Sequence, residues 1–355
     1  MTVTAAPEPA PGSRDRRRIR VTGTVQGVGF RPFVYRHAVA LDLDGWVRND
    51  SSGVLIEAEG DPGRLDRLAR TLVDQPPPLA RVVSVTVEAG LTPGGDRGFR
   101  IAATDAHGPR RAPVGIDTAT CEACRAEVAD PTDRRHRYPF TNCTDCGPRY
   151  TILRQVPYDR PSTTMAGFTM CPACQAEYDD PLDRRFHAQP NACPECGPQL
   201  TWRSPSGAVR ATGDEALWGA AEALRQGQIV ALKGIGGYHL AADARSDGAV
   251  ASLRRRKHRD DKPFAVMVAD EAGARALAHL DAGTLAALTD PRRPVVLAPV
   301  RAAGPLAEGV APGLTEVGLL LPYSPLHHLL LDAVDRPLVM TSGNVSDEPI
   351  AHDDD

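Results

Sequence analysis

Over positions 18–105 the hydrophobic residues follow first one period and then another: two, the spacing of a half-buried strand, and three to four, that of an amphipathic helix. Ile19 and Val21 alternate with Arg18, Arg20 and Thr22, which predicts a first strand with one buried face. Val34, Ala38 and Leu41 mark a helix face, and Trp46 lies in a second predicted strand. Val54, Ile56 and Ala58 alternate with Leu55, Glu57 and Glu59 in a third. Asp61 followed by Pro62 reads as an N-cap with proline at the first helical position, and Leu65, Leu68 and Leu72 supply that helix's inner stripe. Val83, Val85 and Val87, then Phe99, Ile101 and Ala103, predict two more strands. The order is βαββαβ closed by a short last strand, a small ferredoxin-like α+β sandwich.

After a Pro/Gly-containing linker at 106–116 the pattern changes. Positions 117–200 hold only six Ile, Leu or Val and two Met, too few to bury much core. From Thr212 the chain reads as α/β again. A helix over 214–226 turns Leu217, Ala221 and Leu224 inward, and Gly227 ends it. Short apolar strands are predicted at 229–232, 264–268, 295–297, 319–321 and 338–340. Ser324 caps a helix containing His327 and His328, which read as packing residues because neighbours on a helix point about 100° apart.

Length and charge narrow the function classes. The 355 residues suit two or three domains, and a net charge of -4 with pI near 6.2 gives no bulk attraction to nucleic acid or acidic membranes. No apolar run reaches the roughly eighteen residues of a membrane span. Positions 1–17 are Ala- and Pro-rich, and their few apolar residues precede the basic Arg16-Arg17-Arg18, the reverse of a signal peptide. A disordered tail on a cytoplasmic protein is expected.

All 8 cysteines lie in four CxxC pairs: Cys121/Cys124, Cys143/Cys146, Cys171/Cys174 and Cys193/Cys196. The spacing occurs twice, fifty residues apart, and more than cysteine recurs. Asp130-Pro-Thr-Asp-Arg-Arg answers Asp180-Pro-Leu-Asp-Arg-Arg, and each module ends in Cys-Gly-Pro. Disulfides suit secreted chains, and redox chemistry needs one CxxC beside a βαβ pattern, so the duplicated module over 117–203 reads as two structural zinc sites of four thiolates each. Spacing leaves open whether the pairs join sequentially or crosswise. The aromatics scattered here, Tyr138, Phe140, Tyr150, Tyr158, Phe168, Tyr178 and Phe186, are expected to fill a small core around the metals. No basic excess accompanies them, so nucleic acid is not the expected partner.

Two stretches carry candidate chemistry. In Gly23-Thr-Val-Gln-Gly-Val-Gly-Phe-Arg31, residues Gln26, Gly27, Val28, Gly29 and Phe30 form a turn whose amides can cradle an anion. Arg31 adds a permanently charged fork suited to two phosphate oxygens. In the last region, Lys233-Gly-Ile-Gly-Gly-Tyr-His-Leu240 places a cation beside a flexible turn, and a cationic run, Lys257-His-Arg259-Asp-Asp-Lys262-Pro263, follows a predicted helix. By composition alone such a run is a solvated helix end.

The first string, with Gly45-Trp-Val-Arg-Asn49, closely resembles acylphosphatases. That resemblance implies that Arg31 holds a phosphate and Asn49 orients the attacking water. The second set, with Thr341-Ser342-Gly-Asn344, resembles the YrdC nucleotide-binding family, whose members adenylate a carbamate-type acid with ATP. It implies that Lys233, Lys257, Arg259 and Lys262 neutralise triphosphate and carbamoyl oxygens, while Ser342 and Asn344 bind the nucleotide. An acylphosphatase-like domain (18–105), a double zinc-finger module (117–203) and a YrdC-like domain (210–355), in that order, resemble the HypF family of carbamoyltransferases.

Membership in that family would imply carbamoyl phosphate and ATP with Mg2+ as substrates, two Zn2+, and a HypE-like acceptor whose terminal cysteine is carbamoylated on the way to hydrogenase cyanide ligands. The zinc module would be a spacer between carbamate-producing and carbamate-consuming sites. The family's C-terminal transferase domain is expected after the Thr-Ser-Gly-Asn motif but does not follow it, so the sequence reads as part of a longer protein or a split gene. Two other readings stay open: an O-carbamoyltransferase of secondary metabolism and a zinc-knuckle RNA-binding module.

Overall fold

The computed structural model describes residues 14–92, 94–103, 114–156, 158–301, 304–344 and 348–354. The expected tail over 1–13 and most of the expected linker lie outside them. The described chain forms two compact units. One holds the residues up to Ile116 with Cys143–Asp145 and Ile152–Asn191; the other holds Asp117–Asn142, Cys146–Thr151 and the residues from Ala192 onward.

In the first unit, β1 (Asp15–Thr24), α1 (Phe30–Ala40), β2 (Asp44–Asp50), β3 (Gly53–Gly60), α2 (Pro62–Asp74), β4 (Arg81–Glu88) and β5 (Phe99–Ile101) follow in the predicted order. The sheet order is β4-β1-β3-β2-β5, antiparallel except for the parallel β2/β5 pair. One sheet face buries Ile19, Val21, Val47, Val54, Ile56 and Ala58 against Val34 and Ala38 of α1 and the three leucines of α2. The other face is ionic. Arg16 reaches Glu57 at 2.7 Å and Asp96 at 3.0 Å, Arg18 reaches Glu57 at 2.8 Å, and Arg20 reaches Asp50 at 2.6 Å. These partners extend β1 to Asp15, which pairs with Gly60, so the strand begins before the tail expected over 1–17 has ended. Composition suggests a tail because the Arg run resembles solvated chain; acidic residues on β3 turn it into a strand face.

The cysteine segment has little regular structure: α3 (Glu122–Ala129) and α4 (Pro172–Asp179) begin directly after Cys121 and Cys171. Next come the hairpin strands β6 (Thr201–Arg203) and β7 (Val209–Thr212), then α5 (Gly213–Arg225), β8 (Val230–Gly234), β9 (Gly237–Asp243), α6 (Asp247–Lys257) and β10 (Ala265–Met267). The chain continues through α7 (Glu271–Leu277), α8 (Ala282–Thr289), β11 (Val296–Pro299), β12 (Glu316–Leu320), α9 (Pro325–Val334) and β13 (Leu338–Ser342). A six-stranded mixed sheet, β11-β12-β10-β13-β9-β8, separates two apolar cores, with α5 and α9 on one side and α6 on the other.

The Lys233-Gly-Ile-Gly-Gly stretch, expected as a turn after one strand, is the tip of a tight β8/β9 hairpin in which Gly234 pairs with Gly237. Its second strand opens with Gly237, Tyr238 and His239, and the last two carry polar groups that mask the period-two pattern. The β6/β7 hairpin, α7 and α8 also lack a sharp hydrophobic signature.

Leu68 is fully buried in the first core. Leu68→Ala should cost about 2–5 kcal/mol, read as lost hydrogen-exchange protection in β1 and β3; a loss under about 1 kcal/mol would contradict this packing.

Candidate functional site

The candidate anion cradle starts where β1 ends. Val25, Val28 and Phe30 are buried and pin the loop from below, while Gly27 and Gly29 take left-handed conformations (φ 70° and 71°) that direct successive amides toward one side. Gln26 donates from Nε2 to the carbonyls of Asp50 and Gly53, at 2.7 and 2.8 Å, tying the loop to the β2/β3 turn. Gly29 is the N-cap of α1, so Arg31 sits in that helix's first turn.

Arg31 is 9% exposed. Burial pushes its guanidinium pKa down, and the Asp159 carboxylate, with a smaller contribution from Tyr178, pushes it back up. Asn49, on β2, is also buried, and its Oδ1 has no hydrogen-bond partner among the described residues. A buried amide oxygen left open is expensive unless something it can accept from comes to it.

Sequence reasoning missed the wall of this cradle. A Cβ placed on Gly29 would lie 3.2 Å from Thr144 Oγ1 and 3.7 Å from Asp145 Oδ1, both in the cysteine segment. Tyr178 donates its hydroxyl to Gln189 Oε1 at 3.0 Å, and the same oxygen accepts the Arg160 N–H at 2.5 Å. His187 packs against Phe186 and Tyr178, with ring centroids 4.3 and 4.9 Å away. Burial, with the nearby Arg31 charge adding to it, lowers the His187 pKa to about 4, so its imidazole is neutral. The periodicity of the module's duplication is the only signal that could have drawn attention here: Arg137 and His187, fifty residues apart, share a left-handed backbone.

The cysteines assemble sequentially. Cys121, Cys124, Cys143 and Cys146 form one group and Cys171, Cys174, Cys193 and Cys196 the other, the sulfurs of each lying within 4.8 Å of one another. The Cys124–Cys146 and Cys193–Cys196 sulfurs stand 3.5 and 3.8 Å apart. Tetrahedral zinc with Zn–S bonds of about 2.3 Å needs sulfurs roughly 3.8 Å apart, so each group fits one Zn2+ with no position left over. Gly147 is left-handed, and a Cβ there would come 2.7 Å from Asn142 Cβ, which explains the Cys-Gly-Pro step. Tyr138, Tyr158 and Phe186 are buried as expected of a core around the metals; Tyr150 is 69% exposed and does not join it.

In the second unit, Lys257, Ser342 and Asn344 come together. Lys257 Nζ donates to the carbonyls of Ser342 and Asn344, at 2.7 and 3.0 Å, and to Asn344 Oδ1 at 3.0 Å, while Ser342 Oγ donates to the same Oδ1 at 2.5 Å. Burial first, then the Arg259 charge, lowers the Lys257 pKa. Lys233 Nζ lies 2.6 Å from an Asp354 carboxylate oxygen, which also accepts the Tyr238 hydroxyl at 2.7 Å. Arg259 turns onto its own loop, donating to the carbonyls of Lys262 (3.3 Å) and Pro263 (2.8 Å) over the Phe264 ring. Arg254, which composition does not single out, orders that loop by donating to the carbonyls of Arg259, Asp260 and Lys262.

Two groups of four sulfurs predict two zinc ions per chain by elemental analysis, and Cys193→Ser should leave about one; two zinc ions in that variant would contradict the assignment.

Three families match successive parts of the chain. They are acylphosphatase over 17–101, the HypF finger over 120–153 and 170–203, and the Sua5/YciO/YrdC family, described as telomere recombination, over 222–355. Residues of the first domain align with an acylphosphatase of Salinibacter ruber at 45% identity over 95% of that protein and 25% of this chain. The carbamoyltransferase HypF of Rhodobacter capsulatus is 55% identical over 332 residues, 94% of this chain and 43% of its own length. The corresponding protein of Rhizobium leguminosarum bv. viciae is 53% identical over 96% of this chain and 43% of its length. A crystal structure of full-length HypF in a phosphate- and nucleotide-bound form superposes with TM-score 0.89 at 43% identity, over 96% of this chain and 44% of that one. The chain thus spans a little over two fifths of these relatives. With all three domains in place and more than half its residues identical to such a relative, the chain belongs to the HypF family of carbamoyltransferases.

Proposed function

We propose that this chain carries out two linked reactions, release of carbamate from carbamoyl phosphate at the Arg31 cradle and ATP-dependent conversion of carbamate to carbamoyladenylate at the Lys257 site. In the first, the loop amides and Arg31 hold the phosphoryl oxygens. Asn49 Oδ1 accepts a hydrogen bond from water and aims its lone pair at phosphorus. The bond from phosphorus to the bridging oxygen breaks, leaving carbamate and inorganic phosphate. Asn49 supports this reading most: its Oδ1 is buried, unpartnered, and on the strand beside the loop.

In the second reaction a carbamate oxygen attacks the α-phosphorus of ATP and pyrophosphate leaves. Lys257, Lys233, Arg259 and Lys262 would neutralise the phosphates together with the Mg2+ that accompanies ATP, and Ser342 and Asn344 would bind the nucleotide. Lys257 now donates to carbonyl oxygens and Lys233 to a carboxylate, ligands that phosphate oxygens can replace. Free carbamate decomposes to carbon dioxide and ammonia, which favours both reactions in one protein. Onward transfer to the cysteine of a HypE-type acceptor would fall to the longer family protein. Among the described residues no helix is long and apolar enough to cross a membrane, and eight clustered thiols suit the reducing cytoplasm.

Arg31→Ala should lower kcat for phosphate release from carbamoyl phosphate by about 10²–10³-fold, the usual cost of one transition-state charge partner. Unchanged release would remove the cradle from the mechanism. Lys257→Ala should abolish ATP–pyrophosphate exchange that depends on carbamoyl phosphate; persistence of the exchange would exclude Lys257 from the nucleotide site.

A further inference from the structure

A cluster of polar rings on the α9 side of the six-stranded sheet, His327 fully buried and His239 and Tyr323 partly so, is not among the groups placed in the reactions above. His239 on β9 stands opposite Leu232 of β8 and Ser342 of β13. Directly opposed residues of antiparallel strands project to the same face, about 5 Å apart at Cβ, so His239 and the proposed nucleotide-binding Ser342 share one surface. Tyr323 Oη lies 2.9 Å from His239 Nε2. The hydroxyl also presses on the β8/β9 hairpin: a Cβ on Gly234, next to Lys233, would come 2.4 Å from it. The Tyr323 and His327 rings are 4.3 Å apart, and those of His239 and His327 are 6.1 Å apart and nearly perpendicular.

The hydrogen bonding of this cluster is incomplete in a particular way. Ser324 caps α9 by accepting the backbone N–H of His327, and its Oγ lies 2.7 Å from His327 Nδ1. The hydroxyl can accept from the helix N–H and still either donate to Nδ1 or accept from it, so the contact engages Nδ1 in either tautomer and leaves Nε2 as the ring's other polar atom. His327 Nε2 has no hydrogen-bond partner among the described residues, in a side chain that is fully buried. His239 uses Nε2 for Tyr323, and its Nδ1 is likewise buried with no partner among the described residues. Burial lowers the pKa of both histidines, which favours the neutral form of each ring. Among the described residues the cluster therefore offers neutral ring nitrogens, each able to donate or accept according to tautomer, and a hydroxyl, with no cation in it. A phosphate would draw little from it, whereas a small, planar, uncharged group with a carbonyl oxygen and an NH2 would satisfy it: imidazole N–H to the oxygen, Tyr323 Oη accepting from the nitrogen.

We infer that Tyr323, His239 and His327 form the subsite for the carbamoyl end of the adenylate, adjoining the Ser342, Asn344 and Lys257 group that holds its phosphate. The inference rests on the adenylation reading and assigns the acyl half of that same site. Carbamoyl recognition is then done by neutral hydrogen bonds on the sheet face, separate from the charges that hold the nucleotide.

Two non-reactive adenosines separate the halves in calorimetry on the full chain. 5′-O-(N-carbamoylsulfamoyl)adenosine carries the carbamoyl group, and 5′-O-sulfamoyladenosine lacks it. The wild-type chain should bind the first more tightly. Tyr323→Phe, which keeps the ring, and His239→Gln should each weaken the carbamoylated compound about tenfold, the worth of one well-made hydrogen bond, while leaving the other within about twofold. Equal weakening of both compounds, no weakening of either, or equal wild-type affinity for the two would overturn the subsite and leave nucleotide binding standing. Failure of the wild-type chain to bind either compound would sink the adenylation reading and the subsite with it. Circular dichroism and zinc content matching the wild type show that the variants fold.

Discussion

Thiolate coordination of zinc is the constraint on which the middle of this protein depends. Between 117 and 200 there are six aliphatic side chains of the Ile, Leu or Val type, and the most deeply buried large residues include two arginines of this segment, Arg135 and Arg149. A chain that buries guanidinium groups in place of leucines gains little from the hydrophobic effect. Arg135 instead donates to the Ala192 carbonyl at 2.9 Å, acting as a strut for backbone that no strand or helix supports. A structural zinc contributes roughly 10–16 kcal/mol, about as much as the net stability of a whole domain, near 5–15 kcal/mol. The metal therefore stands in for a core, and the short helices α3 and α4 start at ligands because a helix N-terminus favours a thiolate.

The consequence reaches the chemistry. In the first unit the surroundings of Arg31 include Asp159, Tyr178 and His187, all on the segment that the second cysteine group organises. Burial costs the guanidinium part of its preference for the charged form, and a carboxylate on that segment returns some of it. The proposed phosphate cradle is thus assembled from a loop held by an ordinary apolar core and a wall on the segment that carries the second cysteine group. In the second unit a similar economy operates without zinc: Lys257 keeps its ammonium half-buried by borrowing carbonyls from the end of β13, and neutral rings nearby are left with hydrogen bonds to make.

Much of this architecture is legible in the order of residues along the chain. The first sandwich is readable because its strands have one apolar face and one largely polar face, so Ile19, Val21, Val54 and Ile56 signal their burial by alternation. The zinc groups are readable because their ligands repeat at fixed intervals. What sequence does not carry is proximity without period. His239 and Tyr323 are 84 residues apart and meet only through strand register and the start of α9. Thr144 approaches Gly29 through a turn whose path no local pattern specifies. His327, read from helix geometry as a packing residue, is fully buried yet polar and incompletely bonded, a combination visible only in its three-dimensional surroundings. Arg259 belongs to a phosphate-binding pattern by resemblance, while its side chain rests on Phe264 and on carbonyls of its own loop.

The most direct test of the metal's role is hydrogen exchange followed by mass spectrometry on the zinc-loaded chain and on the same chain stripped with a chelator. The account predicts that stripping collapses protection across 117–200, including α3 and α4, while β1, β3 and the interior strands β9 and β13 of the six-stranded sheet keep theirs. Protection that survives across 117–200 without zinc would contradict the claim that the metal serves as that segment's core.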